Sequence, residues 1–151
     1  MIRKHLFTIF GLIYISVSSF GSHILGGQLW YEYINSGVNN GAYKINLDLY
    51  RDMSGITLGS VQTISVLSTI GGVTAMNTSK TLTLTQPEFQ QSSQNCGGGF
   101  VVGINQYEAI ITIPAYSSTR LSWEQCCRPP GITGLNGSAG QGFYIEARID
   151  L

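Results

Sequence analysis

The side chains able to carry chemistry are few and badly spaced for it. Cys96, Cys126, Cys127 and His23 make a nominal four-ligand zinc set. Structural zinc sites draw on a Cys-x2–4-Cys knuckle, however, and adjacent cysteines on extended backbone point to opposite faces, so these four do not converge easily. His23 lies near the start of the exported chain, a poor place for a base that must be held in fixed geometry. Glu108 and Glu124 are the carboxylates from which a sugar-cleaving pair could be drawn, but exposed strand carboxylates are usually solvated surface. Gly97-Gly98-Gly99 has no following Lys or helix to cradle a phosphate. The expectation is therefore no catalytic residue, no cofactor and no metal site. Trp30 and Tyr50 are a different matter, because they fall on the faces opposite Leu29 and Leu49 and are free to stack on a ligand such as a sugar ring.

The stretch from Ser117 to Ile132, SSTRLSWEQCCRPPGI, is the one around which the elements must be arranged. Leu121, Trp123, Gln125 and Cys127 alternate with Arg120, Ser122, Glu124 and Cys126 at the two-residue period of a strand. Trp123 is the expected core anchor, predicted to pack against Leu47, Ile111 and Ile145. The same parity sends Cys127 inward and Cys126 outward, which favours a Cys96–Cys127 disulfide with Cys126 free, worth roughly 3–4 kcal/mol for so long a loop. A vicinal Cys126–Cys127 ring is the alternative. Pro129-Pro130 cannot join a sheet ladder and ends the strand.

Disulfides presuppose export, and the first residues supply it. Arg3 and Lys4, an apolar run from Leu6 to Ile15, then Ser16, Ser18, Ser19 and Gly21 read as a secretory signal over residues 1–21. The apolar run is short for a bilayer span, and the small residues suit cleavage before Ser22. Residues 22–151 then form one domain that is secreted or held at the cell surface, with no membrane span of its own. Without Arg3 and Lys4 the acidic residues outnumber the basic ones by two, which argues against a nucleic-acid partner.

Seven or eight short strands follow from the pattern. Gln28–Ile34 and Tyr43–Arg51 flank the turn formers of Asn35–Gly41 and predict a hairpin. Val61–Thr69 makes a third strand, broken by Gly71-Gly72, and Thr81–Thr85 a short fourth. Glu88–Gly99 reads as a polar loop, Phe100–Ile104 and Tyr107–Ile113 as one or two strands, and Phe143–Leu151 alternates without a flaw. No helical apolar period occurs outside the signal. The expected fold is all-β, an antiparallel β-sandwich of Ig-like or jelly-roll-like kind, with a closed barrel as the less favoured alternative.

Four segments in order, SHILGG (Ser22–Gly27), LYRD (Leu49–Asp52), YEAIITIP (Tyr107–Pro114) and SWEQCCRPPGIT (Ser122–Thr133), resemble the N-terminal region of large secreted surface proteins of gliding Bacteroidetes, the gliding-motility-associated or PKD-containing proteins. The resemblance covers most of residues 22–151, and its Ser-Trp-Glu-x-Cys-Cys-Arg run is the specific part. It implies a non-enzymatic structural or adhesion role whose partners are other domains or surface proteins. Relatives of that kind commonly read Tyr-Arg-Asp-Cys where this chain has Met53. The aromatics keep a second expectation open, a small carbohydrate-binding module that takes glycans.

Overall fold

A computed structural model describes residues 24–91, 101–126, 128, 136–137 and 141–151. The predicted signal segment and Cys96 and Cys127 lie outside those residues. The described chain is all-β and antiparallel throughout: β1 (Ile24–Tyr33), β2 (Tyr43–Asp52), β3 (Val61–Ile70), β4 (Val73–Leu84), β5 (Phe89–Gln91), β6 (Val102–Ile111), β7 (Ser118–Gln125) and β8 (Phe143–Asp150). Hydrogen bonding runs in the order β1-β2-β6-β4-β3-β7-β8, with β5 added to the free stretch of β6. The two leaves that a sandwich implies, β1-β2-β6 and β4-β3-β7-β8, are joined by the short β4–β6 ladder at Thr83–Glu108 and Leu84–Tyr107. The result is one sheet curled until its margins meet.

The β1–β2 hairpin forms as the sequence predicts, with Tyr33 opposite Tyr43 and Leu29 opposite Leu47. Its turn closes through Gly41, whose φ of 86° suits glycine. The β3–β4 turn is tighter. Gly71 and Gly72 have φ of 57° and 83°, the two successive left-handed residues of a type I′ hairpin. From that turn β4 runs to Leu84, eight residues longer at its start than the Thr81–Thr85 strand expected. Val73–Lys80 is mostly exposed, with Met76 alone among its apolar side chains packed against the core, so it shows no repeating buried face to a sequence pattern, and pairing with β3 alone makes it a strand. β5 likewise lies in what reads as loop, and β6 is one strand rather than two.

The core is the inner face of this curl. Ile45, Leu47 and Leu49 of β2, Ile64 and Val66 of β3, Leu82 of β4, Tyr107 of β6, Leu121 and Trp123 of β7 and Ile149 of β8 form one buried cluster. Trp123 is 2% exposed, stands opposite Ile145 in the β7–β8 register, and shares the cluster with Leu47 and Ile111. Its indole Nε1 donates to Gln62 Oε1 at 3.2 Å, so the buried ring leaves no polar atom stranded. Phe143 meets it edge-on, with ring centroids 6.3 Å apart.

β1 and β8 close the curl by packing rather than by a ladder. Gly27 marks the seam: a Cβ there would sit 2.8 Å from the Asp48 carbonyl and 2.8 Å from Ile145 Cδ1, closer than real Cβ atoms approach. Trp123→Ala empties the largest space in the core, and a loss of about 3–5 kcal/mol in chemical denaturation is the expected result; a loss under 1 kcal/mol would contradict the anchoring role.

Candidate functional site

Trp30 and Tyr50 do fall on one outer face, that of β1-β2-β6, each half-buried. Trp30 stands opposite Asn46 and Tyr50 opposite Gly26 and Ile104. The Tyr50 ring lies against the backbone at Gly26, where an added Cβ would meet its Cδ2 at 3.4 Å. The two rows are four residue steps apart along β2, roughly 13 Å of strand. Only an extended ligand can touch both rings.

The strip between them is polar and already tied together. Gln28 and Gln106 both donate to Asp48 Oδ2, at 3.1 and 3.4 Å, and Asn46 donates to Glu32 Oε1 at 3.3 Å. This is why Asn46 and Asp48, which the alternation places on a wet face, are only 5% and 6% exposed. Burial and the nearby Asp48 carboxylate raise the pKa of Tyr50, so its phenol stays protonated and able to donate.

The two carboxylates that could be imagined as a hydrolytic pair are not brought together. Glu108, on β6, is held by Lys44 Nζ at 2.7 Å. Glu124 is on β7, opposite Tyr144. β4 and β3 stand between those strands in the sheet, a distance of roughly 14 Å before curvature, well outside the separation that either glycosidase geometry uses.

The strongest electrostatic feature escaped the sequence. Arg51 is on the inner face of β2 and only 4% exposed. It grips Glu88 through two parallel bonds, Nε to Oε1 and Nη2 to Oε2, both 2.6 Å. Its Nη1 donates to the carbonyls of Asp52 and Gly55, and Asn105 Nδ2 donates to Glu88 Oε1 at 2.8 Å. Glu88 crosses directly over Gly103, where any side chain would collide with it. The Arg-Asp pair after the second strand was visible in the sequence, but its partner sits 37 residues away in a stretch that reads as loop. This group plugs one end of the curl, with both Glu88 oxygens engaged by Arg51 and one of them also by Asn105.

The Arg51 hydrogen bonds hold the Glu88 carboxyl below its ordinary range, against desolvation and with help from Asn105. A depressed folded value means that the stabilisation is full above the unfolded carboxylate pKa and is lost as pH falls through the folded one. Glu88→Gln is expected to cost about 3–5 kcal/mol at pH 7, because it leaves a buried guanidinium unpaired. The gap between variant and wild type should narrow as denaturation is followed below about pH 4. A gap independent of pH would refute the ion pair.

Cys126 corrects the disulfide expectation. It is exposed just past β7, as parity predicts, yet it is disulfide-bonded rather than free. The expectation of a free Cys126 therefore does not hold, while the Cys96–Cys127 pairing itself falls on residues outside the described ones. β7 ends at Gln125, before the cysteines, and alternation does not govern pairing beyond it. His23, like Cys96 and Cys127, lies outside the described residues. Comparison of the chain with protein-family models, curated proteins and solved structures gave no match.

Proposed function

We propose that residues 22–151 act as an exported structural or adhesion module, non-catalytic, at the cell surface or beyond it. The observation that carries this reading is where the described charges are spent. Glu88 is locked to Arg51 and Glu108 to Lys44, while Asp48 is held by two glutamines. Reactive sites need groups held apart from such partners and exposed to substrate. The resemblance of SWEQCCRPPGIT and the three accompanying segments to gliding-associated surface proteins supports the same reading, with other domains or surface proteins as partners. Antibody labelling of intact cells and of the culture medium, set against the cytoplasmic fraction, tests it. Signal confined to the cytoplasm would end this reading.

A second reading, a carbohydrate-binding module, is favoured by one feature, the shared outer face of Trp30 and Tyr50. Two half-buried rings with a polar strip between them suit an extended glycan that stacks at both ends. On a glycan array the wild type should then bind a longer oligosaccharide and lose most of that signal in both Trp30→Ala and Tyr50→Ala. Equal binding by wild type and Trp30→Ala would remove Trp30 from the account.

A further inference from the structure

The end of the curl opposite the Arg51–Glu88 plug is open, and tyrosines surround it. Tyr31 and Tyr33 share the inner face of β1 with Leu29, and Tyr43 begins β2. Tyr43 meets Tyr31 edge-on with centroids 5.9 Å apart, and Tyr33 at 5.3 Å and a tilt of 57°. Between them lies a cavity of about 390 Å³ lined by Tyr33, Gly41, Tyr43, Ile113, Ala115 and Leu151. None of those six side chains is charged.

Two features of this mouth ask for an explanation beyond packing. Tyr43 is 6% exposed, and its hydroxyl has no hydrogen-bond partner among the described residues. The ring is covered while the hydroxyl is left unpaired by the protein at a residue that lines the cavity, so it is available to a partner that arrives from outside. Burial raises the pKa of this phenol, with Tyr33 and Tyr31 adding to the shift, so it remains a proton donor at neutral pH. The second feature is Tyr116, beside Ala115 in the turn before β7. Its φ is 57°, the left-handed region that a bulky residue avoids, and its side chain is 85% exposed.

The turn is held in that form from below. Ser117 Oγ donates to the Pro114 carbonyl at 2.6 Å and bonds to Thr119 Oγ1 at 3.1 Å, which bonds in turn to Ser68 Oγ at 2.7 Å. Leu151 N donates to the Ser117 carbonyl. A braced, strained turn that holds Ala115 in the lining of the cavity is the pattern of a preorganised contact.

We infer that this open end is a binding site for a neutral hexopyranose, the terminal residue of a glycan, seated against Tyr33 and Tyr43. Side chains without charge offer no ion-pair partner, which suits an uncharged ligand. Tyrosine faces match the flat C–H side of a pyranose, and phenol hydroxyls match its hydroxyls. The volume is at the low end of small-ligand sites, which suits one sugar residue. The site is at an end of the sheet, whereas Trp30 and Tyr50 stand on its outer face, so the two fail or succeed separately.

Titration of the isotopically labelled protein with methyl glycosides of neutral hexoses, followed residue by residue by NMR, tests the assignment. Saturable shifts centred on Tyr33, Gly41, Tyr43 and Ile113 are expected with at least one hexoside. Tyr43→Phe keeps the ring and removes only the hydroxyl, and should weaken binding about tenfold, the worth of one hydrogen bond. Tyr33→Ala should abolish it, and Trp30→Ala should leave it unchanged. Absence of shifts with every hexoside at tens of millimolar, shifts centred on Trp30, or full affinity in Tyr43→Phe would each overturn the inference. So would saturation of the same mouth by a proline-rich peptide in preference to sugar.

Discussion

A sheet with one apolar face must cover it, and here the described residues supply nothing but the sheet itself to do so. Among the described residues the only helical piece is the three-residue turn Gly37–Asn39, which buries nothing. Ile45, Leu47 and Leu49 therefore find their partners across the curl, in Leu121, Trp123 and Ile149. Everything else follows from that need. The margins must meet, so Gly27 gives up its side chain where β1 rides on Ile145. The ends must be finished, and they are finished differently: one by the Arg51–Glu88–Asn105 plug, the other by tyrosines about an open cavity.

That asymmetry organises the functional reading. A buried bidentate ion pair is seldom a large net source of stability, since desolvation offsets most of its attraction. What it does here is fix the end of β2 to the segment before β5 and fill inner-face positions, Arg51 and Asn105, that an apolar core would otherwise claim. At the other end the same inner face meets solvent through Tyr31, Tyr33 and Tyr43, residues with apolar bodies and polar tips. The outer face is a third environment, where paired amides and carboxylates form a flat strip with an aromatic at each end.

Much of this was legible in the residues. The all-β class, the first hairpin, the burial of Trp123 opposite Ile145 and the outward placement of Trp30 and Tyr50 all follow from two-residue alternation, because each depends on local spacing in a strand with one buried face. Three things were not legible for matching reasons. Val73–Lys80 sets only Met76 against the core, so it shows no period. Glu88 acts on Arg51 across a long sequence separation, which no local pattern encodes. The tyrosine mouth gathers the ends of β1 and β2 with the turn before β7 and Leu151 just past β8, so only the curl brings Tyr33, Ile113 and Leu151 together. The cysteines teach the narrower lesson that parity stops where the strand stops, at Gln125.

The central claim is that the sheet buries its inner face by bringing its own margins together, β1 upon β8. Nuclear Overhauser contacts across that seam measure it most directly. The account predicts cross-peaks between the Gly27 α-protons and the Ile145 δ-methyl, which close packing at Gly27 places within reach, alongside the ladder contacts of Trp123 with Ile145. Strong ladder contacts with no Gly27–Ile145 cross-peak would describe an open sheet, and would contradict the closed core together with the two ends built on it.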